Sequence, residues 1–254
     1  MIQLINTLFI GKVLHEFDEL DSTNNYAQNL LAAQSPPEGT LIITHNQYAG
    51  RGQLNNKWES SPNKNLTFSA ILYPKFLPAR NQFLLNQVVS LSVLDTLNHY
   101  IPDGVTIKWP NDIYVFDKKI TGILIQNSLQ GNNLQSSIIG IGINVNQKEF
   151  LSDAPNPTSA ILEIGIETPL KNMLYTFCEN LEKNYLLLKG GHEVTIKKRY
   201  LANLYRLGQQ HLFKEPDGNL FKGTILGVTE IGKLIIKTDN GEMTFGFKEL
   251  QYIS

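Results

Sequence analysis

A strand-turn-strand pattern in the middle of the chain constrains the fold more than any other feature. The segments KITGILIQNSL (119–129) and SSIIGIGINVN (136–146) are rich in isoleucine, and the sequence QGNN lies between them. A Gly-Asn pair between two β-rich runs is typical of a hairpin turn. We therefore predict a long β-hairpin in this part of the chain.

Other apolar patterns add both helices and strands. Residues 80–100 carry apolar side chains at intervals near 3.6, which predicts a long core helix. A second helix is predicted to begin at Ser22 and Thr23, which are capping residues, and two more to fill about 158–205. Strands are predicted over 39–47, 65–72 and 105–109. These elements predict an α+β fold.

The pattern changes after Gly208. Short apolar runs alternate there with the turn sequences PDG, EIG and DNG, which is typical of a small β-barrel-like unit. With 254 residues, of which 42% are apolar, the chain can bury one large core beside such a unit. We predict a main domain over residues 1–206 and a small domain over 207–254.

Charge and apolar run length exclude some partners. The chain has 22 Lys and Arg against 23 Asp and Glu, a net charge of -1, so there is no basic footprint for nucleic acid. No apolar run reaches the roughly 18 residues of a membrane span, and the N-terminus lacks a signal peptide pattern. We expect a cytoplasmic protein without DNA or membrane partners. The single cysteine, Cys178, lies in an apolar helical stripe and is predicted to be core.

The segment YAGRGQLNNKWESS (48–61) combines flexibility, a cation and an aromatic ring. Gly50 and Gly52 flank Arg51, so the backbone can approach a ligand while the guanidinium contacts phosphate or carboxylate oxygens. A solvated loop is an equal alternative for these three residues alone. Trp58, further along the segment, either covers the core or stacks on a planar ligand.

A second candidate stretch is IKWPNDIYVFDKKITGILIQ (107–126). Pro110 is expected to end a strand, and Asn111 and Asp112 to form a turn whose carboxylate suits Mg²⁺ or a ligand hydroxyl. Lys119 is either a solvated strand end or a functional cation near Gly122, which permits close approach of a ligand. Further along, the amide of Asn144 is suited equally to a ribose or to a structural turn.

These motifs, taken together and in this order, resemble those of the biotin protein ligases, also called biotin-[acetyl-CoA-carboxylase] ligases. The resemblance runs from about residue 20 to 147 and includes Ser22-Thr23-Asn24, Gln47, GRG with Trp58, KWPND with Lys119, and GIGINVN. It implies a mixed β-sheet flanked by helices, like that of class II aminoacyl-tRNA synthetases, with a C-terminal SH3-like β-barrel. It also implies two reactions: biotin and MgATP give biotinyl-5'-AMP and pyrophosphate, and a carrier-protein lysine then takes the biotinyl group.

By this resemblance, the expected substrates are biotin and ATP with Mg²⁺, and the expected partner is the biotin carboxyl carrier protein of acetyl-CoA carboxylase or a related carboxylase. The enzyme would be a monomer or homodimer. The expected catalytic residues are Arg51 and Lys119. The expected biotin-binding residues are Ser22, Thr23, Asn24, Gln47, Gly50, Arg51, Gly52, Gln53, Lys119 and Gly122. The expected ATP- or adenylate-binding residues are Arg51, Trp58, Lys108, Asn111, Asp112 and Asn144, with Asp112 as the Mg²⁺ ligand.

The sequence also departs from the family pattern. Residues 53–56 are Gln, Leu, Asn and Asn where the family often carries arginines, which predicts weaker retention of the adenylate. Only about twenty residues precede Ser22, fewer than the roughly 50 of a separate DNA-binding domain, so we expect a ligase without a repressor role. The alternatives are a lipoate or octanoyl ligase or transferase of the same fold, and a non-catalytic RNA-binding module.

Overall fold

The structure is a computed structural model that describes residues 6–52, 56–152 and 156–253. The helices in these ranges are α1 (Thr23–Ala33), α2 (Phe83–Tyr100), α3 (Ala160–Ile164), α4 (Leu170–Lys189) and α5 (Glu193–Ala202). The strands are β1 (Leu14–Leu20), β2 (Leu41–Gln47), β3 (Leu66–Leu72), β4 (Val105–Lys108), β5 (Asp112–Val115), β6 (Lys118–Gln130), β7 (Asn133–Ile143), β8 (Gln210–Lys214), β9 (Leu220–Val228), β10 (Leu234–Thr238), β11 (Gly241–Phe245) and β12 (Gln251–Tyr252). None of the helices described is long and apolar enough to cross a membrane.

The main sheet has seven strands in the order β1-β2-β3-β7-β6-β5-β4. β1 runs parallel to β2, and each of the other neighbouring pairs is antiparallel. The predicted hairpin is formed by β6 and β7, which pair along almost their whole length and place Gly122 opposite Gly142. The predicted mixed sheet is therefore confirmed.

Helices cover both faces of this sheet because successive residues of a strand point to opposite faces. On β2, Leu41 belongs to the large apolar core, whereas Ile42 packs with Ala27 and Leu30 of α1 in a smaller cluster. α2 lies on the large-core side, and α4 and α5 pack against it. Cys178 on α4 is fully buried there, as predicted, and burial raises the pKa of its thiol to about 12.

The C-terminal strands form a second, five-stranded sheet in the order β11-β10-β9-β8-β12. Its neighbouring strands are antiparallel, and in the described part of the chain β11 and β12 remain its two edges, so the pairing does not close into a barrel. Phe213 and Ile236 of this sheet belong to the same apolar core as the main sheet. The indole nitrogen Nε1 of Trp109 donates a hydrogen bond of 2.8 Å to the carbonyl oxygen of Gly232 in the β9–β10 turn.

Two local predictions were wrong, and one strand was not predicted. β1 was missed because its sequence, LHEFDEL, is rich in acidic residues, which are common on exposed edge strands. The turn predicted at Asn111 and Asp112 is shorter than expected, since Asp112 already begins β5. The region 158–205 holds three helices, because Gly165, with a φ of +76°, ends α3 after little more than one turn.

Candidate functional site

A cavity of about 680 Å³ lies over the β6–β7 hairpin. Its walls come from the start of α1, the end of β2, the segment that contains Arg51 and Trp58, the β4–β5 hairpin and the C-terminal sheet. The sequence-predicted residues that line it are Ser22, Thr23, Asn24, Gln47, Arg51, Gly52, Trp58, Lys108, Asn111, Asp112, Lys119 and Gly122. Gly50 and Asn144 lie off its wall, and the prediction for Gln53 lies outside the described residues.

The first turn of α1 fixes the orientation of Gln47. Ser22 is the N-cap of α1 and accepts a hydrogen bond of 3.5 Å from the backbone N–H of Asn25. The backbone N–H of Thr23 donates a hydrogen bond of 2.9 Å to Oε1 of Gln47. Because a backbone N–H can only donate, the amide oxygen of Gln47 must face Thr23. The amide nitrogen is the end of Gln47 that is available to a ligand in the cavity.

A buried hydroxyl, that of Ser69, contacts the side chains of the first turn of α1. The Oγ atom of Ser69, on β3, lies 2.8 Å from Oγ1 of Thr23 and 2.6 Å from Oδ1 of Asn24. Asn24 in turn donates a hydrogen bond of 3.0 Å to Oε1 of Gln126 on β6. Gly140 leaves room for Asn24, since a Cβ atom there would lie 2.2 Å from Oδ1 of Asn24. Sequence reasoning missed Ser69 and Gln126, because a single serine in the apolar run LTFSAIL does not show what its hydroxyl contacts.

Two glycines form the floor beneath Trp58. A Cβ atom on Gly142 would lie 2.2 Å from Cε2 of Trp58, and one on Gly122 would lie 2.9 Å from Cζ3. The indole therefore lies flat across this glycine pair of β6 and β7. Its Nε1 atom is buried without a hydrogen-bond partner among the described residues. The ammonium group of Lys119 is 5.8 Å from the indole centroid, so the cation and the ring share one side of the cavity.

Charged side chains form a row across three adjacent strands. Nζ of Lys119 lies 2.8 Å from Oδ1 of Asp112, and each side chain is 23% exposed. Lys108 pairs in register with Asp112 on the other side. Its ammonium group donates a hydrogen bond of 2.8 Å to the hydroxyl of Tyr114 and lies 4.8 Å from the ring centroid of Tyr252. Burial, with repulsion from Lys119 and other cations, lowers the pKa of Lys108 to about 8.

Arg51 is exposed and held by a residue that sequence reasoning missed. Its guanidinium donates a hydrogen bond of 2.8 Å to Oδ1 of Asn25. Asn25 also donates to Asp21, and this bond is the main reason why the pKa of Asp21 is lowered. Gly50 acts through its backbone, because its carbonyl oxygen accepts a hydrogen bond of 3.0 Å from the N–H of Trp58 and a Cβ atom would clash with that residue.

The two predicted asparagines differ in position. Asn111 lines the cavity, and its amide nitrogen donates to the carbonyl oxygen of Ile123, so it also fastens the β4–β5 hairpin to β6. Asn144 is buried behind the wall, where its Nδ2 donates a hydrogen bond of 2.9 Å to the carbonyl oxygen of Thr158. Its Oδ1 atom is buried without a hydrogen-bond partner among the described residues, so the ribose and the structural-turn alternatives both stay open for Asn144.

The C-terminal part of the chain completes the cavity, which the sequence did not predict. The residues that it contributes are Tyr205, Arg206, Phe247, Lys248, Leu250, Gln251 and Tyr252. The hydroxyl of Tyr205 donates to Asp117, and Arg206 forms an ion pair of 3.3 Å with the same carboxylate. In the ranges the structure describes, no group of three or more His, Cys, Asp or Glu side chains is placed to hold a metal ion.

Comparison with known proteins gives consistent results. The model of the biotin/lipoate A/B protein ligase family matches residues 16–144. The bifunctional ligase/repressor BirA of Bacillus subtilis is 30% identical over 242 residues, which cover 93% of this chain and 73% of that protein. The biotin-[acetyl-CoA-carboxylase] ligase of Paracoccus denitrificans is 26% identical, with 91% and 96% covered. The biotin protein ligase of Aquifex aeolicus in complex with biotin and ATP superposes with a TM-score of 0.78 at 28% identity, over 95% of this chain and all of that one.

Proposed function

The chain belongs to the biotin/lipoate A/B protein ligase family, and from this premise we propose that it is a biotin protein ligase whose active site is the cavity over the β6–β7 hairpin. The enzyme joins biotin to ATP as biotinyl-5'-AMP and transfers the biotinyl group to a carrier-protein lysine. The observation that carries the assignment of the site is the convergence of Gln47, Trp58 and the Asp112–Lys119 ion pair, from distant parts of the sequence, on one cavity.

The first reaction brings two anions together. The biotin carboxylate attacks the α-phosphorus of ATP, the bond from this phosphorus to the bridging oxygen breaks, and pyrophosphate leaves with the electron pair. Lys119 and Arg51 would offset the repulsion between the reactants and stabilise the negative charge of the transition state. Thr23, Gln47 and the backbone of residues 50–52 would hold biotin, and Trp58 would stack on a planar part of the adenylate.

Asp112 fits a role in holding Mg²⁺ together with ATP. Magnesium sites in nucleotide enzymes usually use one or two carboxylates, several waters and the substrate phosphates, so a full protein cage is not required. Asp112 lies on the cavity wall with its Oδ1 paired to Lys119, which leaves its other oxygen for the metal. The ion would supply neutralisation of phosphate charge when bound.

The second reaction defines the partner. Biotin ligases of this family act on biotin carboxyl carrier proteins, and we propose the carrier of acetyl-CoA carboxylase or a related carboxylase as the acceptor. The neutral amine of the carrier lysine attacks the acyl carbon of biotinyl-5'-AMP, the bond from this carbon to the phosphate oxygen breaks, AMP leaves, and the nitrogen releases a proton to water. Arg51 lines the cavity and is exposed, so we propose that the carrier lysine enters on this side.

One measurement tests this function. The protein is incubated with biotin and MgATP, and mass spectrometry is used to detect bound biotinyl-5'-AMP while pyrophosphate release is followed in parallel. Both are expected with biotin and neither without an acid. The family name also covers lipoate enzymes, so lipoate and octanoate are the matched controls. Equal pyrophosphate release with lipoate would favour the lipoate ligase instead.

A further inference from the structure

Glu59, which directly follows Trp58, is a carboxylate that binds a distant segment of the chain. Its Oε1 atom accepts a hydrogen bond of 2.9 Å from the backbone N–H of Leu151 and one of 3.1 Å from Nε2 of Gln147. Its Oε2 atom accepts a hydrogen bond of 2.8 Å from the backbone N–H of Ser152. The side chain of Glu59 therefore joins the residue after Trp58 to the segment that follows β7.

These hydrogen bonds favour the ionised form of Glu59. Burial by itself raises the pKa of this carboxyl, but the hydrogen bonds from Ser152, Leu151 and Gln147 outweigh burial and leave the pKa below its ordinary value. Hydrogen bonds to an ionised carboxylate are stronger than those between neutral groups. The attachment of Glu59 to residues 147–152 is therefore a strong one for a side chain that is only partly buried.

The attached segment is itself held in place. Gln147 is 2% exposed, and its Oε1 atom accepts a hydrogen bond of 3.0 Å from the backbone N–H of Ser61. The side-chain nitrogen of Asn65 donates to the same oxygen. Residues 59–61 and the segment 147–152 are thus joined by several hydrogen bonds, and Glu59 supplies the only charge among the acceptors named.

The indole of Trp58 depends on such attachments of its backbone. Its Nε1 atom has no hydrogen-bond partner among the described residues, and the ring rests on Gly122 and Gly142 by contact alone. On one side, the backbone N–H of Trp58 donates a hydrogen bond of 3.0 Å to the carbonyl oxygen of Gly50. On the other side, Glu59 fixes the next residue. The ring is therefore placed by what holds the chain before and after it.

We propose that Glu59 is a positioning residue whose carboxylate holds Trp58 over the Gly122–Gly142 pair, ready to stack on the adenylate. The proposal rests on the proposed function and deepens it, because it assigns to Glu59 a share of the affinity for biotinyl-5'-AMP. Glu59 does not line the cavity, so it acts through Trp58. An aromatic surface that is ordered before the ligand arrives lowers the entropic cost of binding.

The test compares the affinities for biotinyl-5'-AMP and for biotin by isothermal titration calorimetry of the full chain. Glu59→Ala is expected to weaken biotinyl-5'-AMP binding about fivefold or more and to leave biotin binding within about twofold. Glu59→Gln keeps an oxygen that can accept from Leu151 and Gln147, but its NH₂ group cannot accept from Ser152. Its loss should therefore be smaller than that of Glu59→Ala, and it replaces Glu59→Ala if that variant does not fold.

Glu182 provides a matched control. Its carboxylate, on α4, also accepts hydrogen bonds from backbone N–H groups, those of Leu8, Phe9 and Ile10, and it does not line the cavity. Glu182→Ala is expected to lower the free energy of unfolding and to leave the affinity for biotinyl-5'-AMP within about twofold. If Glu59→Ala also leaves this affinity unchanged, Glu59 has a structural role alone and the proposal is overturned.

A second comparison shows whether Glu59 acts through the indole. In a Trp58→Ala background there is no ring to position, so Glu59→Ala should cause no further loss of affinity for biotinyl-5'-AMP. A further loss as large as that seen with Trp58 present would mean that Glu59 acts by another route, and it would overturn the proposal.

The proposed function and the role of Glu59 can fail separately. If the unaltered protein forms no biotinyl-5'-AMP from biotin and MgATP, the proposed function fails and this inference fails with it. If the unaltered protein forms biotinyl-5'-AMP but Glu59→Ala weakens biotin and biotinyl-5'-AMP binding equally, only the role of Glu59 is overturned.

Discussion

The indole of Trp58 lies on Gly142 at a distance that no other residue type would allow, since a Cβ atom on Gly142 would be 2.2 Å from the ring atom Cε2. Gly122, opposite Gly142 on β6, completes the surface under the ring. The position of the Trp58 indole thus depends on Gly122 and Gly142. Substitution of either glycine should therefore affect adenylate binding by displacing Trp58.

Substitution of Gly142 tests this unit. Gly142→Ala is expected to displace Trp58 and weaken biotinyl-5'-AMP binding, and Trp58→Ala to cost about 1 to 3 kcal/mol through loss of stacking. In the double variant, the alanine at position 142 has no indole to displace. The losses in biotinyl-5'-AMP affinity caused by the two substitutions should therefore not add. Calorimetry with biotinyl-5'-AMP measures the cycle. Strictly additive losses would mean that Trp58 leaves the glycine floor when the ligand binds.

Lys119 is expected to act on the reaction and to contribute little to folding. Lys119→Ala removes the cation beside Asp112, and adenylation should slow by about 10² to 10³, as for the loss of one charge-stabilising donor. The neighbouring Lys118 is the matched control, because it is 55% exposed and pairs with Glu163 instead. Biotin-dependent pyrophosphate release measures both rates. Equal rates in the two variants would make Lys119 a solvated strand end.

We predict that Ser69 positions Thr23 and Asn24, which we propose to bind biotin, through hydrogen bonds to their side chains. Ser69→Ala leaves Thr23 and Asn24 without their shared buried partner, which should cost about 1 to 3 kcal/mol in the free energy of unfolding and weaken biotin binding. Ser137→Ala is the control, since Ser137 is also fully buried in the same sheet but bonds to Asn127. If Ser69→Ala and Ser137→Ala bind biotin with similar affinity, Ser69 contributes to the stability of the fold and does not position the biotin site.

The lowered pKa of Lys108 predicts how stability depends on pH. The unfolded chain keeps this proton up to about pH 10.5, whereas the folded protein keeps it only up to about pH 8. Unfolding therefore takes up a proton between these values, and the contribution of Lys108 to stability rises with pH across this window. Lys119 and Arg206 oppose the charge of Lys108, and Asp112 and Asp117 favour it.

Urea unfolding of the wild type and of Lys108→Met at pH 7, 8, 9 and 10 measures this difference. The free energy of unfolding of the wild type should increase relative to that of the variant as pH rises, by about 3 kcal/mol at most. Titrating groups that do not interact with Lys108 behave alike in both proteins and cancel in this difference. A constant difference would show that Lys108 titrates as it does in water.

The sequence predicted the central hairpin, and it singled out motif residues that the structure places around one cavity, because both depend on local patterns. The isoleucine-rich runs on both sides of QGNN predict strands without knowledge of the tertiary structure. GRG and KWPND are short motifs that can be recognised from consecutive residues. The acidic strand β1 could not be predicted, since its place at the sheet edge depends on pairing with β2 and not on its own apolar pattern. The role of Asn144 in adenylate binding stays a prediction, because its position at a strand end does not reveal which groups its amide faces.

Residues that act through distant neighbours were beyond the reach of sequence reasoning. Ser69 acquires its role only because β3 passes beneath the start of α1. Tyr252 reaches the cavity only because β12 pairs with β8 at the side where the two sheets meet. Neither relationship leaves a motif, because each depends on contacts between segments that are far apart in the chain.

The bond from Trp109 to Gly232 has a consequence for how the protein melts. It joins the KWPND segment to the C-terminal sheet, and Phe213 and Ile236 of that sheet lie in the same apolar core as α2. Two units that share one core should lose their structure together, so calorimetry should record a single transition with equal calorimetric and van't Hoff enthalpies. The C-terminal sheet could then not be exchanged between relatives as an independent domain. In a chimeric ligase, the apolar side chains of the foreign sheet would not pack against the core of the main sheet.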